Sequence, residues 1–327
     1  MKEKATLDNT TCKRNLRTAF IMLNLSRLQL LHELSVLGTI SAVARSLNLT
    51  RPAVSQQLSL LEKELGLVLF ERSARGVRWT SAGERLLAGI GGILQAVNEV
   101  EADLARTAQT VTGDLRIAAF GSAAATIIPQ AITQLAKQHR SLEIFFNEME
   151  PGDGLKATAT KQVDIAIVDD LTGTENFAHQ LDFQPLYIDP FKAVVSVDHR
   201  LAGTGRKSVE LWELAQEKWA LNQSAIGYQT FIVNACHAEG YTPQIMSSCR
   251  NIAATLEFVR TGSFVTVLPG LATHNILLDP DFRCLDLRPV TQRRLFSAFA
   301  KGSKARPAIS AALEAFEHAC SIFIDHR

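Results

Sequence analysis

SAVARSLNLTRPAVSQQLSLLEKEL, residues 41–65, reads as a short helix, a tight turn and a second helix. Ala42, Val43 and Leu47 fall at helical spacing and can face one core, and the small Ala44 lets a second helix cross close by. Asn48 suits a left-handed turn position, because its short side chain tolerates positive φ. Thr50 is a good N-cap, and Pro52 is tolerated only in a first helical turn. Val54, Leu58, Leu61 and Leu65 then form an i, i+4, i+7, i+11 apolar stripe. Arg51, Ser55 and Gln56 are left on another face near the helix N-terminus, the end that a helix-turn-helix presents to DNA base edges. The plain alternative for this stretch alone is a helical hairpin resting on a core.

The flanks favour the first reading. Leu25 to Leu37 is apolar at helical intervals and Gly38 ends it. Gly66 closes the second helix. The following LVLFERSARGVRWTSAG offers a strand from Leu67 to Phe70, a turn at Arg75-Gly76 and a return strand from Val77 to Trp79, which is a β-hairpin wing. Arg72, Arg75 and Arg78 sit on or beside it, and such residues usually hold phosphates rather than read bases. Thr80 is an N-cap for a long helix to about Gln109, with Leu87, Ile90, Leu94, Val97 and Leu104 near a/d spacing. That seam predicts a dimerising helix. Glu101 interrupts it, and Gly89, Gly91 and Gly92 each cost about 1 kcal/mol relative to Ala, so a short or bent pairing helix is the expectation.

Charge is distributed in the same sense. The chain of 327 residues has a net charge of only +1, yet residues 13–80 hold ten Lys/Arg against four Glu. Residues 81–327 carry 22 basic and 27 acidic groups. A basic head on a mildly acidic body fits a nucleic-acid-binding module joined to a separate domain. Five scattered cysteines (Cys12, Cys236, Cys249, Cys284, Cys320) show no CxxC or Cys/His ligand spacing. Neither a disulfide framework nor a metal site is predicted, and reduced thiols in a cytoplasm are the default. No apolar run is long enough for a transmembrane helix. Residues 1–21 read as a disordered extension, with Met22 a possible translation start just before the patterned region.

Beyond Gly113-Asp114 strands and helices alternate. Strands are predicted at 115–120, 142–148, 163–168, 187–197, 219–221, 264–268 and 294–300. Helices are predicted between the first two, near 152–161, and at 208–216, 229–239, 252–261 and 307–324. The run Val163-Asp164-Ile165-Ala166-Ile167-Val168 is typical of a buried parallel strand. This pattern is α/β with parallel sheets.

Taken together, these residues resemble the LysR-type transcriptional regulators, from about Leu25 to Phe323. The most specific part is AVSQQLSLLEKELGLVLFER followed by TSAGE. The C-terminal part keeps LRIAAFG, Pro129, VDIAIV, DHRLA and GSFVTVLPG at the family's intervals. The resemblance implies a winged helix-turn-helix (22–80), a linker helix (81–110) and an effector domain (113–327). That domain would have two α/β lobes like a periplasmic binding protein, lobe one at 113–184 and 290–327 and lobe two at 185–289. It implies a sequence-specific regulator that binds double-stranded DNA and a small-molecule effector and assembles as a homodimer or homotetramer. Arg51, Pro52, Ser55 and Gln56 would read bases. Many members carry Gln where Arg51 stands, and Arg can bond guanine O6 and N7 in bidentate fashion. Trp79 replaces the usual Leu and is predicted to pack the wing on the helical core. The effector cleft would be lined by Ser122, Pro151, Thr230, Phe231, Phe264 and Val265, and helix N–H groups there suit a carboxylate or other anion. Gln229-Thr230-Phe231 stands where members that bind aromatic acids have Pro-Ser-Phe.

Enzyme readings do not hold up. Residues 203–208, GTGRKS, lack the Gly before Lys-Ser that a phosphate-binding loop needs. No GxSxG elbow, no paired-His metal motif and no cofactor-binding fingerprint is present. The competing class is an α/β small-molecule-binding protein or enzyme whose N-terminal helices serve only for assembly.

Overall fold

Caps set the limits of the first three helices. In a computed structural model describing residues 23–73, 76–107, 111–203, 205–222, 226–274 and 276–324, helix α1 (Leu25–Leu37) starts where the Asn24 side chain accepts the Arg27 N–H. It ends at left-handed Gly38. Thr39 caps α2 (Ile40–Ser46), and Thr50 caps α3 (Arg51–Leu65), which stops at Gly66 with φ 67°. Asn48 takes the positive φ expected of it, 53°. Val54, Leu58 and Leu61 of α3 are fully buried against Leu28, Leu31, Leu34 and Val43, each burial contributing about 1.5–3 kcal/mol. Ile40, Val43 and Ala44 form the buried face of α2, with Ala42 and Leu47 only half-buried. The extension at 1–21, Met22 and Arg75 lie outside the described residues.

The wing is β1 (Phe70–Ser73) and β2 (Gly76–Trp79), antiparallel with Phe70 opposite Trp79. The strand starts three residues later than predicted. Gly66 and Leu67 donate back to the Glu62 carbonyl, and this helix-closing turn uses the backbone that a strand from Leu67 would need. Leu67 and Val68 are consequently exposed. Trp79 packs on the helical core, edge-on to Phe70 at 5.8 Å, as expected. The Thr80 hydroxyl accepts the Gly83 N–H and starts α4 (Ser81–Arg106). Only glycine fits at Gly83, because a Cβ there would stand 2.1 Å from the Leu69 carbonyl oxygen.

The contacts fall into two units divided between Leu94 and Gln95, within α4. Leu86, Leu87, Ile90 and Leu94 pack on the winged-helix core. Leu87, Ile90 and Leu94 of the predicted seam therefore face that core. The outward apolar row is Ile93, Val97, Val100 and Leu104, with Val100 and Leu104 59% and 66% exposed. This row keeps Val97 and Leu104 of the predicted seam.

Glu33 departs from its apolar surroundings. It is 1% exposed on α1, with its Oε2 3.5 Å from the Ser46 hydroxyl of α2. Burial pushes its carboxyl up to about 7, only partly offset by Ser46. An acid raised in this way stabilises the fold fully below its unfolded value of 4.5, and that contribution is lost as pH rises through about 7. Glu33→Gln keeps the side chain neutral. It should stabilise α1–α3 by about 2–3 kcal/mol near pH 8 and have little effect near pH 4. Opening free energies from hydrogen exchange of these amides in the full chain check this, and a pH-independent difference would refute it.

The second unit is built on a long mixed sheet. Its elements are β3 (Gly113–Ala119), α5 (Gly121–Ala124), α6 (Ile127–Gln138), β4 (Leu142–Glu148), α7 (Pro151–Ala159), β5 (Ile165–Asp169) and β6 (Leu181–Ser196). After these come β7 (Ser208–Glu210), β8 (Lys218–Asn222), α8 (Ile226–Ala238), β9 (Gln244–Cys249), α9 (Ile252–Arg260) and β10 (Phe264–Pro269). The chain ends with α10 (Gly270–Thr273), β11 (Phe282–Arg288), β12 (Gln292–Ala300) and α11 (Pro307–Ile324). The strand order is β4-β3-β5-β12-β6-β10-β8-β9, with β11 paired to β6 and β7 paired to β11. Each lobe has its own apolar core, one around Ile117, Ile165 and Phe316 and one around Phe191, Trp219 and Val267. Sequential strands inside each lobe pair in parallel, as predicted. The strands that join the lobes do not. β6 is antiparallel to β12 up to Pro190 and antiparallel to β10 from Phe191 onward. The lobes therefore exchange chain near residue 190, later than the 184/185 junction predicted. The predicted helix at 208–216 is β7 followed by a 3-10 turn, Leu211–Leu214, because Ser208 pairs with Asp286 on β11. β9 and β11 were not anticipated. Among the described residues no helix is long and apolar enough to cross a membrane.

Candidate functional site

Two regions concentrate polar chemistry, one in each unit. In the first, Arg51, Pro52 and Gln56 are exposed on the opening turns of α3, and Ser55 is half-buried beside them. Arg51 and Ser55 are four apart, as are Pro52 and Gln56, so the predicted readers share one face. That face adjoins the stripe of buried Val54, Leu58 and Leu61. The helix is braced by Arg27, whose Nε donates to Gln57 at 3.0 Å and whose Nη1 pairs with Glu64.

The wing arginines divide. Arg72 lies opposite Val77 and Arg78 lies opposite Glu71, and successive strand residues point to opposite faces. Arg72 is on the face turned toward α3, where its Nη2 donates to the Ser55 hydroxyl. Arg78 is on the other face, fully exposed and paired with Glu71. Arg75 lies outside the described residues.

In the second unit the predicted effector contacts are only partly brought together. Ser122 on α5 is buried, and its hydroxyl accepts from Arg293 Nη2 at 2.7 Å. Pro151 opens α7, as predicted, and is buried. Thr230 and Phe231 do not open their helix. α8 starts at Ile226, which leaves Thr230 exposed in the second turn and Phe231 against Phe191 at 5.4 Å. Phe264 packs edge-on to Phe258, and Val265 is completely buried in the lobe-two core. Val265 has no surface to offer a ligand, a correction that follows from its place inside the sheet.

Sequence reading missed the charged floor of this region. Arg293 on β12 stands directly across from Asp189 on β6. Its Nε and Nη2 bond Asp189 Oδ2 at 3.0 and 2.9 Å, and its Nη1 lies 3.3 Å from Asp169 Oδ2. The Phe120 ring lies 4.5 Å beneath the guanidinium carbon. The other Asp189 oxygen accepts the Leu271 N–H of α10 at 2.9 Å. Asp169 Oδ1 accepts the Thr172 hydroxyl and the Leu171 N–H. Burial pushes the Asp189 carboxyl up, opposed by Arg293 and by the backbone of Leu271 and Gly270. Partial burial also raises Glu150, with Asp169, Glu148 and Asp153 adding to the effect. The signal in the sequence was a charged residue set in each of three apolar strands. Among the described residues no cluster of His, Cys, Asp and Glu is arranged to hold a metal ion.

Two family models match the chain. Residues 25–84 match the bacterial regulatory helix-turn-helix protein, lysR family, and residues 108–321 match the LysR substrate binding domain. The hydrogen peroxide-inducible genes activator of Pectobacterium carotovorum subsp. carotovorum is 26% identical over 229 residues, 70% of this chain and 74% of that protein. Among solved structures, a full-length OxyR variant from Pseudomonas aeruginosa superposes with TM-score 0.63 at 20% identity. It spans 90% of this chain and 94% of that one. Full-length CbnR complexed with its target DNA gives 0.52 at 18% identity, over 91% and 100%. These matched relatives are transcription regulators, not enzymes.

Proposed function

The chain belongs to the LysR family of bacterial helix-turn-helix regulators, and from that premise we propose how its parts divide the work. Proteins of this family bind DNA and small-molecule effectors and act as oligomers. Residues 23–80 read duplex DNA through Arg51, Pro52, Ser55 and Gln56 of α3, with the wing against the backbone. The single observation that carries this reading is the polar N-terminal face of α3, with Arg51, Pro52 and Gln56 exposed beside its buried stripe. The outward row Ile93, Val97, Val100 and Leu104 supports pairing of α4 between two copies, which would place two reading heads on one operator. Cytoplasmic residence follows from a DNA partner.

The effector domain takes a small molecule between its lobes, near Ser122, Pro151 and the Arg293 floor. The sequence-based expectation of a carboxylate ligand meets an obstacle there. The buried guanidinium is already shared by Asp169 and Asp189, so an incoming carboxylate has to displace one of them. A neutral or cationic ligand faces no such competition. Effector binding acts by population shift, which requires different affinities for the two arrangements of the domain. Peroxide sensing, suggested by a relative's name, finds no support in the thiols described. Cys236, Cys249 and Cys320 are buried and Cys284 is half-buried, and burial pushes the Cys236, Cys284 and Cys320 thiols up, Cys284 to about 11 and Cys320 to about 12. A protonated thiol is a poor nucleophile.

Fluorescence anisotropy of the full chain tests the reading. A duplex selected from a randomised pool should bind about 10³-fold or more tighter than a scrambled duplex at physiological salt. Equal and steeply salt-sensitive binding to both would reduce the N-terminal unit to a basic surface.

A further inference from the structure

We propose that Arg72, on the wing, is a positioning residue for sequence readout. It holds the Ser55 hydroxyl so that Ser55 acts only as a hydrogen-bond donor to the base facing it. The inference rests on the DNA-reading assignment of α3 and goes beyond it.

Three observations carry it. Arg72 donates from Nη2 to Ser55 Oγ, a link from β1 to α3 across seventeen residues of sequence. The hairpin register puts Arg72 on the α3 side, together with the core-facing Phe70 and Trp79. The other described wing arginine, Arg78, is on the opposite face and is paired with Glu71, so it cannot substitute. A serine hydroxyl has one proton and two lone pairs, and its proton rotates to suit the neighbour. A free serine in the major groove therefore accepts from adenine or cytosine as readily as it donates to guanine or thymine. With a guanidinium on one lone pair, the hydroxyl proton is directed away from Arg72. The adjacent cation also repels any amino group that would use the second lone pair. An ambiguous reader becomes one that favours acceptor edges, guanine N7 or O6 and thymine O4.

A similar logic separates Arg72 from a phosphate contact. A phosphate-only arginine adds affinity for every duplex equally. A positioning arginine changes which base is preferred at one place in the half-site. Arg72 is exposed, so it can touch a phosphate as well without losing the first role.

Selection from a randomised duplex pool with the full-length chain tests this and needs no known operator. Wild type should return guanine or thymine at one half-site position. Ser55→Ala and Arg72→Ala should each relax that same position, by about tenfold, and leave the other positions unchanged. The double variant should relax it no further than either single one. Arg78→Ala should leave the base profile intact. Arg72→Gln, which retains a donor without the charge, should recover part of the preference, and it serves as the readout if Arg72→Ala does not fold. Uniform weakening on all duplexes by Arg72→Ala, with the base profile unchanged, would overturn the inference while leaving DNA reading intact. Failure of wild type to select any sequence would instead remove the DNA-reading assignment itself.

Discussion

Arg293→Ala should destabilise the effector domain by about 3–5 kcal/mol, because it strands buried charges rather than merely deleting a contact. Arg293 is 4% exposed, and its partner Asp189 is completely buried. Without the guanidinium, Asp189 keeps the Leu271 N–H on one oxygen and loses both charged bonds on the other. Asp169 loses its cation and keeps neutral donors. The stranded Asp189 recovers by taking up a proton, so its folded pKa rises further above the unfolded one. Stability from such a raised acid is lost as pH increases. The defect should therefore be largest near pH 8 and shrink toward pH 5. Urea unfolding followed by the fluorescence of buried Trp219 reports on this domain in the full chain. Arg293→Lys should rescue poorly, since one ammonium cannot span three acceptors as a fork does. Removing all three charges together, Arg293→Met with Asp169→Asn and Asp189→Asn, should be far milder than Arg293→Ala. A loss below about 1 kcal/mol in Arg293→Ala would mean that the network adds no net stability.

The network also stands where the two lobes are joined. Asp189 and Arg293 face each other on the two strands beside which β6 changes partner, from β12 to β10. Ser122 and Asp169 bring in lobe one, and Leu271 brings in the start of α10 after β10. In the proposed reading, a ligand that drew Asp189 away from Arg293 would alter bonds on β6 and β12 at once, a differential interaction of the kind that a shift between domain arrangements requires.

The N-terminal unit was legible in the sequence because its signals are local. Thr50, Pro52, Asn48 and Gly66 each act within a few residues, and all four stand in the conformations their chemistry predicts. The apolar stripe of α3 was read correctly for the same reason. Along α4, heptad spacing does not say which residues a nearby domain will claim. Leu87, Ile90 and Leu94 were claimed by the winged-helix core. The effector site was least legible. Asp169, Asp189 and Arg293 are separated by up to 124 residues, and only the pairing of β5, β12 and β6 brings them together. The antiparallel joining strands had no separate sequence signature. A strand shared by two lobes has the same apolar run as one buried in either.

Arg51→Ala should remove most of the preference for a selected operator over scrambled DNA while leaving the fold and assembly unchanged. Arg51 occupies the first position of α3, exposed, with the Thr50 cap bonding to Ala53 rather than to it. Alanine suits that position, so the helix has no reason to fail. What is lost is a fork of donors at the end of the helix that enters the groove. A bidentate arginine–guanine contact discriminates by about 1–3 kcal/mol against the wrong base. A paired assembly makes that contact in both half-sites, so the selected duplex should weaken by about 10² or more. Binding to scrambled DNA should fall only a few-fold, because one charge among several phosphate contacts changes the salt slope by less than about one unit. The paired measurement separates readout from charge. A variant that weakens both duplexes equally would make Arg51 a phosphate contact, and unchanged preference would remove it from the reading face altogether.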